Sequence, residues 1–91
     1  MTYFQSFLES KLDKTNIVFA GELQIEIGNK IKQLRIQKKM SQSELSKLSG
    51  ISQSKISQIE NGSLNITLRT IEIIFGVLGY KVHITEEAND N

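Results

Sequence analysis

The chain has 91 residues, which suits one compact domain with a short extension. It contains no cysteine, which excludes disulfide bonds, thiolate metal sites and cysteine nucleophiles. No apolar run approaches the roughly 20 residues that span a bilayer. The N-terminus lacks the basic-then-apolar order of a signal peptide, so we expect a cytoplasmic protein without membrane contact.

The charge is distributed unevenly along the chain. Although the formal net charge is only +1, residues 30–58 carry seven basic side chains and a single acidic one. Residues 1–29 carry two basic against four acidic side chains, and residues 59–91 carry two against five. A basic middle between acidic ends is typical of a protein that binds a polyanion, although a solvated helix face has the same composition.

The first part of the chain predicts two helices. Residues 1–14 place aromatic and aliphatic side chains at helical spacing, which indicates a short amphipathic helix. Thr15 and Asn16 form the expected break and cap, and a longer helix is expected to run to about Lys39. The apolar stripe of this longer helix consists of Leu23, Ile27, Ile31 and Leu34.

Two short helices are predicted next, within the basic middle of the chain. The first begins with an S-x-x-E capping box, in which Ser41 accepts from the Glu44 amide and Glu44 accepts from the Ser41 amide. It ends at Gly50, where a helix C-terminus needs a left-handed residue. Ser52 opens the second short helix, which is expected to run to about Glu60.

One more helix and a strand complete the prediction. Asn61 and Gly62 tolerate positive φ and end the second short helix. Thr67 caps a further helix, and Gly79 stops it. Apolar and polar residues then alternate over residues 80–85, which indicates a strand.

The two short helices and the glycine-containing turn between them point to function. The apolar residues expected to face inward and to fix the angle between the helices are Leu45, Leu48, Ile51, Ile56 and Ile59. The outer face of the second helix carries short or amide side chains that suit the major groove of DNA, namely Gln53, Ser54, Lys55, Ser57 and Gln58. The amino end of the first helix, at Gln42 and Ser43, offers backbone amides to a phosphate.

Five segments carry a family resemblance. They are Ile31-Lys-Gln-Leu-Arg35, Met40-Ser-Gln-Ser-Glu-Leu45, Gly50-Ile-Ser-Gln-Ser54, Ile56-Ser-Gln-Ile-Glu-Asn-Gly62 and Thr70-Ile71 through Leu78-Gly79. With them, the chain resembles the Cro/cI-type (XRE) helix-turn-helix family of phage repressors and bacterial regulators. The resemblance implies an all-α, lambda-repressor-like five-helix DNA-binding domain over residues 21–79. An N-terminal helical extension (residues 1–20) and a C-terminal strand and tail (residues 80–91) flank it.

The resemblance also implies roles for individual residues in binding DNA. Gln42 matches a position that contacts a phosphate or the outermost base. The positions that match base-reading residues are Gln53, Ser54, Lys55 and Gln58. Asn61, together with Lys55, matches positions that hold the DNA backbone.

Other matched positions have structural roles. Arg35 matches an arginine that bonds within the domain, often to the position of Glu60, so we expect both residues to be structural rather than DNA-reading. The chain departs from the commonest family pattern at Ser46 and Ser49, where alanine or a similarly small residue is more usual. Serine fits the same space, so the departure leaves the predicted fold intact.

The ends of the chain resemble the antitoxin branch of this family, which includes HigA-like and HipB-like proteins. That resemblance implies a repressor that regulates its own operon and binds a toxin protein. The helix-turn-helix motif and the expected strand together predict a homodimer that binds an inverted repeat in double-stranded DNA. A lone strand at residues 80–85 leaves backbone groups unpaired, so a dimer mate's strand is expected to pair with it. A solitary phage-type repressor is one alternative. A protein-interaction module that uses the stripe of Tyr3, Phe4, Phe7 and Leu8 is another.

The sequence lacks the residues of an enzyme site. The only histidine, His83, lies in the expected strand, and no cysteine accompanies it. The six glycines are scattered and form no phosphate-binding loop. We therefore expect no catalytic residues, no metal and no cofactor.

Overall fold

Four helices and two very short strands form the part of the chain that the computed structural model describes, residues 17–83. The helices are α1 (Gly21–Gln37), α2 (Gln42–Ser49), α3 (Gln53–Glu60) and α4 (Leu68–Val77). The strands are β1 (Val18–Phe19) and β2 (Ile66–Thr67). The predicted all-α class is confirmed, but the described range holds four helices and not the five expected of the core. The helix predicted over residues 1–14 lies outside that range.

The segment before α1 is extended, which corrects the prediction of a helix starting near Asn16. Val18 lies opposite Thr67 and Phe19 opposite Ile66 in an antiparallel pair of strands. The helix begins only at Gly21, which has a φ of 67°. The prediction was wrong here because a distant strand pairs with these residues, and a local pattern does not contain that partner.

The core lies where the four helices meet. Its fully or almost fully buried apolar side chains are Ile31, Leu34, Leu45, Ile56, Ile59, Ile66, Ile71, Ile74 and Leu78. The predicted stripe on α1 is therefore buried at its C-terminal end only. Ile27 is half-buried, and Leu23 is 46% exposed, so the first turns of α1 project beyond the core.

The helix ends follow the predicted local chemistry. Both hydrogen bonds of the capping box between Ser41 and Glu44 are present, at 3.0 and 3.1 Å. Ser52 and Thr67 cap α3 and α4 by accepting from backbone amides three residues later. Gly50 has the left-handed φ of 74° that ends α2.

The end of α1 was predicted about two residues too late. The helix ends at Gln37, and Lys39 adopts a left-handed φ of 54°. The carbonyl of Arg35 accepts hydrogen bonds from the amides of both Lys38 and Met40, at 3.1 Å each. This tight closure turns the chain into α2.

The segment after α4 folds back onto the core and forms no strand over residues 80–83, the part of the predicted strand that the structure describes. The amide of Tyr80 donates to the carbonyl of Phe75 at 2.8 Å, and the Lys38 ammonium lies 5.9 Å from the centre of the Tyr80 ring. Val82 packs against the core. The remaining two residues of the predicted strand lie outside the described range.

Glycine sets the distance between α1 and α3. A Cβ at Gly28 would lie 2.1 Å from the carbonyl oxygen of Ile59, so no side chain fits there without moving a helix backbone. The side-chain amide of Gln24 donates to the carbonyl of Gly62 on the same side of α1. These contacts hold α3 close against α1.

Candidate nucleic-acid interface

The turn between α2 and α3 is held by two serine hydroxyls. The hydroxyl of Ser46 donates to the carbonyl of Ile51 at 2.6 Å, and the amide of Ile51 donates to the hydroxyl of Ser49 at 3.1 Å. These are the two positions at which the sequence departs from the commonest family pattern. The structure confirms that serine fits there and adds hydrogen bonds within the turn, which the sequence analysis missed.

The apolar contacts between α2 and α3 are confirmed with one exception. Leu45, Ile56 and Ile59 are completely buried, and Ile51 is half-buried. Leu48 was predicted to face inward, but its side chain is 63% exposed. One turn after Leu45, the side chain that faces inward is that of Ser49, which is half-buried and accepts a hydrogen bond from the Ile51 amide. Leu48, one residue earlier, therefore projects outward.

The outer face of α3 presents the predicted base-reading side chains to solvent. Gln53, Ser54, Lys55 and Gln58 are exposed, and Ser57 is half-buried. Asn61, directly after the helix, is also exposed. The structure therefore brings these polar side chains together on one element and gives Ser57 the least accessible position among them.

The amino end of α2 lies beside the C-terminal end of α3. Ser43 is exposed, and Gln42 is half-buried because its side-chain amide donates to a carboxylate oxygen of Glu60 at 3.2 Å. The first amides of a helix have no partner inside the helix, so those of Gln42 and Ser43 are suited to an anion. Sequence reasoning identified Gln42 but missed its bond to Glu60.

A buried ion pair fixes α3 relative to α1. The carboxylate of Glu60 is 3% exposed and receives two hydrogen bonds from the guanidinium of Arg35, at 2.7 and 2.9 Å. A third guanidinium nitrogen of Arg35 donates to the carbonyl of Met40 at 2.8 Å. The hydrogen bond to Glu60 and its charge raise the pKa of Arg35, against the opposing effect of burial. The predicted structural role of this pair is confirmed.

The basic residues of the middle segment do not all lie near α3. Lys47 and Lys55, on α2 and α3, are exposed, as is Lys39 just before α2. Lys30, in contrast, lines a groove between α1 and α4 on another side of the molecule. In the sequence these charges form one basic segment, whereas in the fold they lie on different sides of the molecule.

Other kinds of site receive no support from residues 17–83. This range contains no group of three or more side chains that could hold a metal ion. None of its helices has the length and hydropathy required to cross a membrane. The single histidine, His83, is exposed beside the groove between α1 and α4.

Comparison with known proteins agrees with this geometry. A family model described as helix-turn-helix matches residues 31–84, which is more than half of the chain. No curated protein matches the sequence.

Two restriction-modification controllers are among the solved structures that are similar to this chain. One is the restriction-modification controller protein C.AhdI from Aeromonas hydrophila, with 28% sequence identity and a TM-score of 0.64, over 67% of this chain and 92% of that one. The other is a single-residue mutant of the restriction-modification controller protein C.Esp1396I. It has 31% identity and a TM-score of 0.63, over 67% of this chain and 77% of that one.

Proposed function

We propose that this chain, which belongs to the Cro/cI-type (XRE) helix-turn-helix family, is a repressor that binds a specific sequence in double-stranded DNA. As a member of this family, the chain is a DNA-binding transcriptional regulator. What we propose in addition is that it represses transcription and that the residues named below read DNA. The exposed polar face of α3 supports it most directly, because this helix is held by buried contacts on its other side.

In this proposal α3 enters the major groove and α2 lies across the sugar-phosphate backbone. The side chains of Gln53 and Gln58 form hydrogen bonds with base edges, and the shorter side chains of Ser54 and Ser57 contact the DNA beside them. Lys55 and Asn61 hold the flanking backbone. At the start of α2, the backbone amides of Gln42 and Ser43 receive a phosphate. The side chain of Gln42 is held beside them by its hydrogen bond to Glu60.

The proposed target is an inverted repeat bound by a homodimer, with one α3 in each of two major grooves about one helical turn apart. The two-fold symmetry of an inverted repeat supports a homodimer, because two identical chains present one α3 to each half of the repeat. Sedimentation of the full chain at micromolar concentration is expected to give twice the monomer mass. A complex that contains only one chain per DNA duplex would contradict this part of the proposal.

Two kinds of operon fit such a repressor. The named relatives are restriction-modification controllers, which favours control of restriction and modification genes. The resemblance of the chain's ends to HigA-like and HipB-like antitoxins favours a toxin–antitoxin pair. A neighbouring gene for a methyltransferase or restriction endonuclease would support the controller role, and one for a small toxin would support the antitoxin role.

The base-reading role is tested by selecting the preferred DNA sequence from a random pool and measuring binding to it. Gln53→Ala and Gln58→Ala are each expected to weaken binding to the selected sequence by about 1–3 kcal/mol and to relax preference at one base position. Gln33→Ala is the matched control, because Gln33 is an exposed glutamine on α1. Equal losses on selected and unrelated DNA would contradict base reading.

A further inference from the structure

The strongest unassigned feature is an apolar groove between α1 and α4, here called the α1–α4 groove, with a volume of about 570 Å³. Most of its lining is aliphatic or aromatic and comes from Phe19, Leu23, Ile27, Phe75, Tyr80 and Val82. Leu23 and Tyr80 remain 46% and 47% exposed there. None of the proposed DNA contacts lines it. A groove of this kind leaves apolar surface in water that a partner segment would cover.

We propose that residues 1–16 of the same chain pack in the α1–α4 groove. The described chain starts at the edge of this groove, because Ile17 is tied to α4 by a 2.9 Å hydrogen bond from the Leu68 amide to its carbonyl. Both Leu68 and Phe19 line the groove. The preceding segment is therefore joined to the fold beside the groove wall.

The length and composition of the segment match the groove. The helix that the sequence predicts over residues 1–14 would extend about 21 Å at 1.5 Å per residue, and the groove follows α1 from Leu23 to Gln37, a rise of about 21 Å. Residues 1–14 carry an apolar stripe at helical spacing, formed by Tyr3, Phe4, Phe7, Leu8 and Leu12. A stripe of this width covers a groove whose walls are apolar.

Tethering favours this occupant over a separate molecule. A segment joined to the groove by a few residues is present there at an effective concentration in the millimolar range. A second copy or an unrelated helix of the same chemistry must reach that concentration in solution to compete. The proposal is independent of DNA binding, since the groove and the outer face of α3 share no residue.

The absence of native cysteine allows a direct test by disulfide trapping. Leu23→Cys is combined in three double variants with Phe4→Cys, Phe7→Cys or Leu8→Cys, and each full-length protein is oxidised mildly at low micromolar concentration. A disulfide requires Cβ atoms about 4 Å apart. At least one pair is expected to close within one chain, detected as a monomer that migrates faster on a non-reducing gel and loses 2 Da.

Ile36→Cys with the same three partners is the control, because Ile36 is on α1, is 55% exposed and does not line the groove. These pairs are expected to stay reduced. Equal trapping at Leu23 and Ile36, or none at Leu23, would overturn the proposal. Disulfide-linked dimers would also overturn it, in favour of a second copy.

Thermal unfolding tests the same placement of residues 1–16 without cross-links. Leu23→Lys is expected to lower Tm by about 4 °C or more because it places a charge under the seated segment, whereas Ile36→Lys is expected to leave Tm nearly unchanged. The same small change for both variants would show that water, and not the segment, covers Leu23. That outcome contradicts the proposal even if trapping occurs.

Discussion

The two sides of α1 are packed to different extents. On the side of α3, Gly28 allows backbone contact, Gln24 bonds to Gly62, and Arg35 reaches the buried Glu60. On the side of α4, Leu23 and the neighbouring groove wall remain half-exposed. The contrast indicates that the described residues alone specify where α3 lies, whereas the α1–α4 groove needs a further segment to complete it.

The largest expected effect is on the packed side, at Gly28. Gly28→Val forces α3 away from α1, because the side chain starts 2.1 Å from the Ile59 carbonyl oxygen. We expect a loss of about 4 kcal/mol in the free energy of unfolding, measured by urea denaturation.

Gly76→Ala is the control for this prediction, because a Cβ at Gly76 on α4 meets no atom within 4 Å. Alanine is a better helix former than glycine, so this variant is expected to gain up to about 1 kcal/mol. Similar behaviour of the two variants would show that α1 and α3 are not held at contact distance.

The second effect concerns the ion pair on the same side. Arg35→Ala leaves the Glu60 carboxylate buried with only the Gln42 amide as a side-chain donor, and we expect a loss of about 3 kcal/mol in the free energy of unfolding. The double variant Arg35→Met with Glu60→Leu removes both charges and is expected to recover most of that loss. No recovery would mean that Arg35 acts through packing and not through its charge.

The smallest effect leaves stability unchanged and concerns the exposed face of α3. Lys55→Ala is expected to reduce the slope of log binding constant against log salt concentration by about 0.9, the contribution of one phosphate contact. Lys32→Ala, at an exposed lysine on α1, provides the comparison and is expected to keep the slope. An unchanged slope for Lys55→Ala would remove Lys55 from the backbone contacts.

The sequence alone predicted the helix ends that carry a side-chain cap or a left-handed glycine, and the face of α3 that carries the proposed contacts. The caps at Ser41, Ser52 and Thr67 depend on hydrogen bonds only three residues apart, so the local sequence contains both partners. Gly50 was identified for the same reason, since its left-handed conformation closes a bond to Ser46. These interactions are complete within one turn of chain.

The Arg35–Glu60 pair was also predicted, but only through the family resemblance. No local rule relates residues that are 25 positions apart. Gly28 went unremarked although a glycine inside a helical pattern costs about 1 kcal/mol relative to alanine and so signals close packing. Its contact with Ile59 could have been suspected from that cost, but not assigned to a partner.

Tertiary structure decided the remainder, because burial depends on which elements meet. The predicted stripe could not show that Leu23 extends past the core, or that Leu48 projects outward while Ser49 is half-buried. The strand formed by Val18 and Phe19 exists because Ile66 and Thr67 lie beside it in space. The sequence thus determined the capped ends of α2, α3 and α4, through bonds between near neighbours. The fold determined which faces are covered, through contacts between residues that lie far apart in the chain.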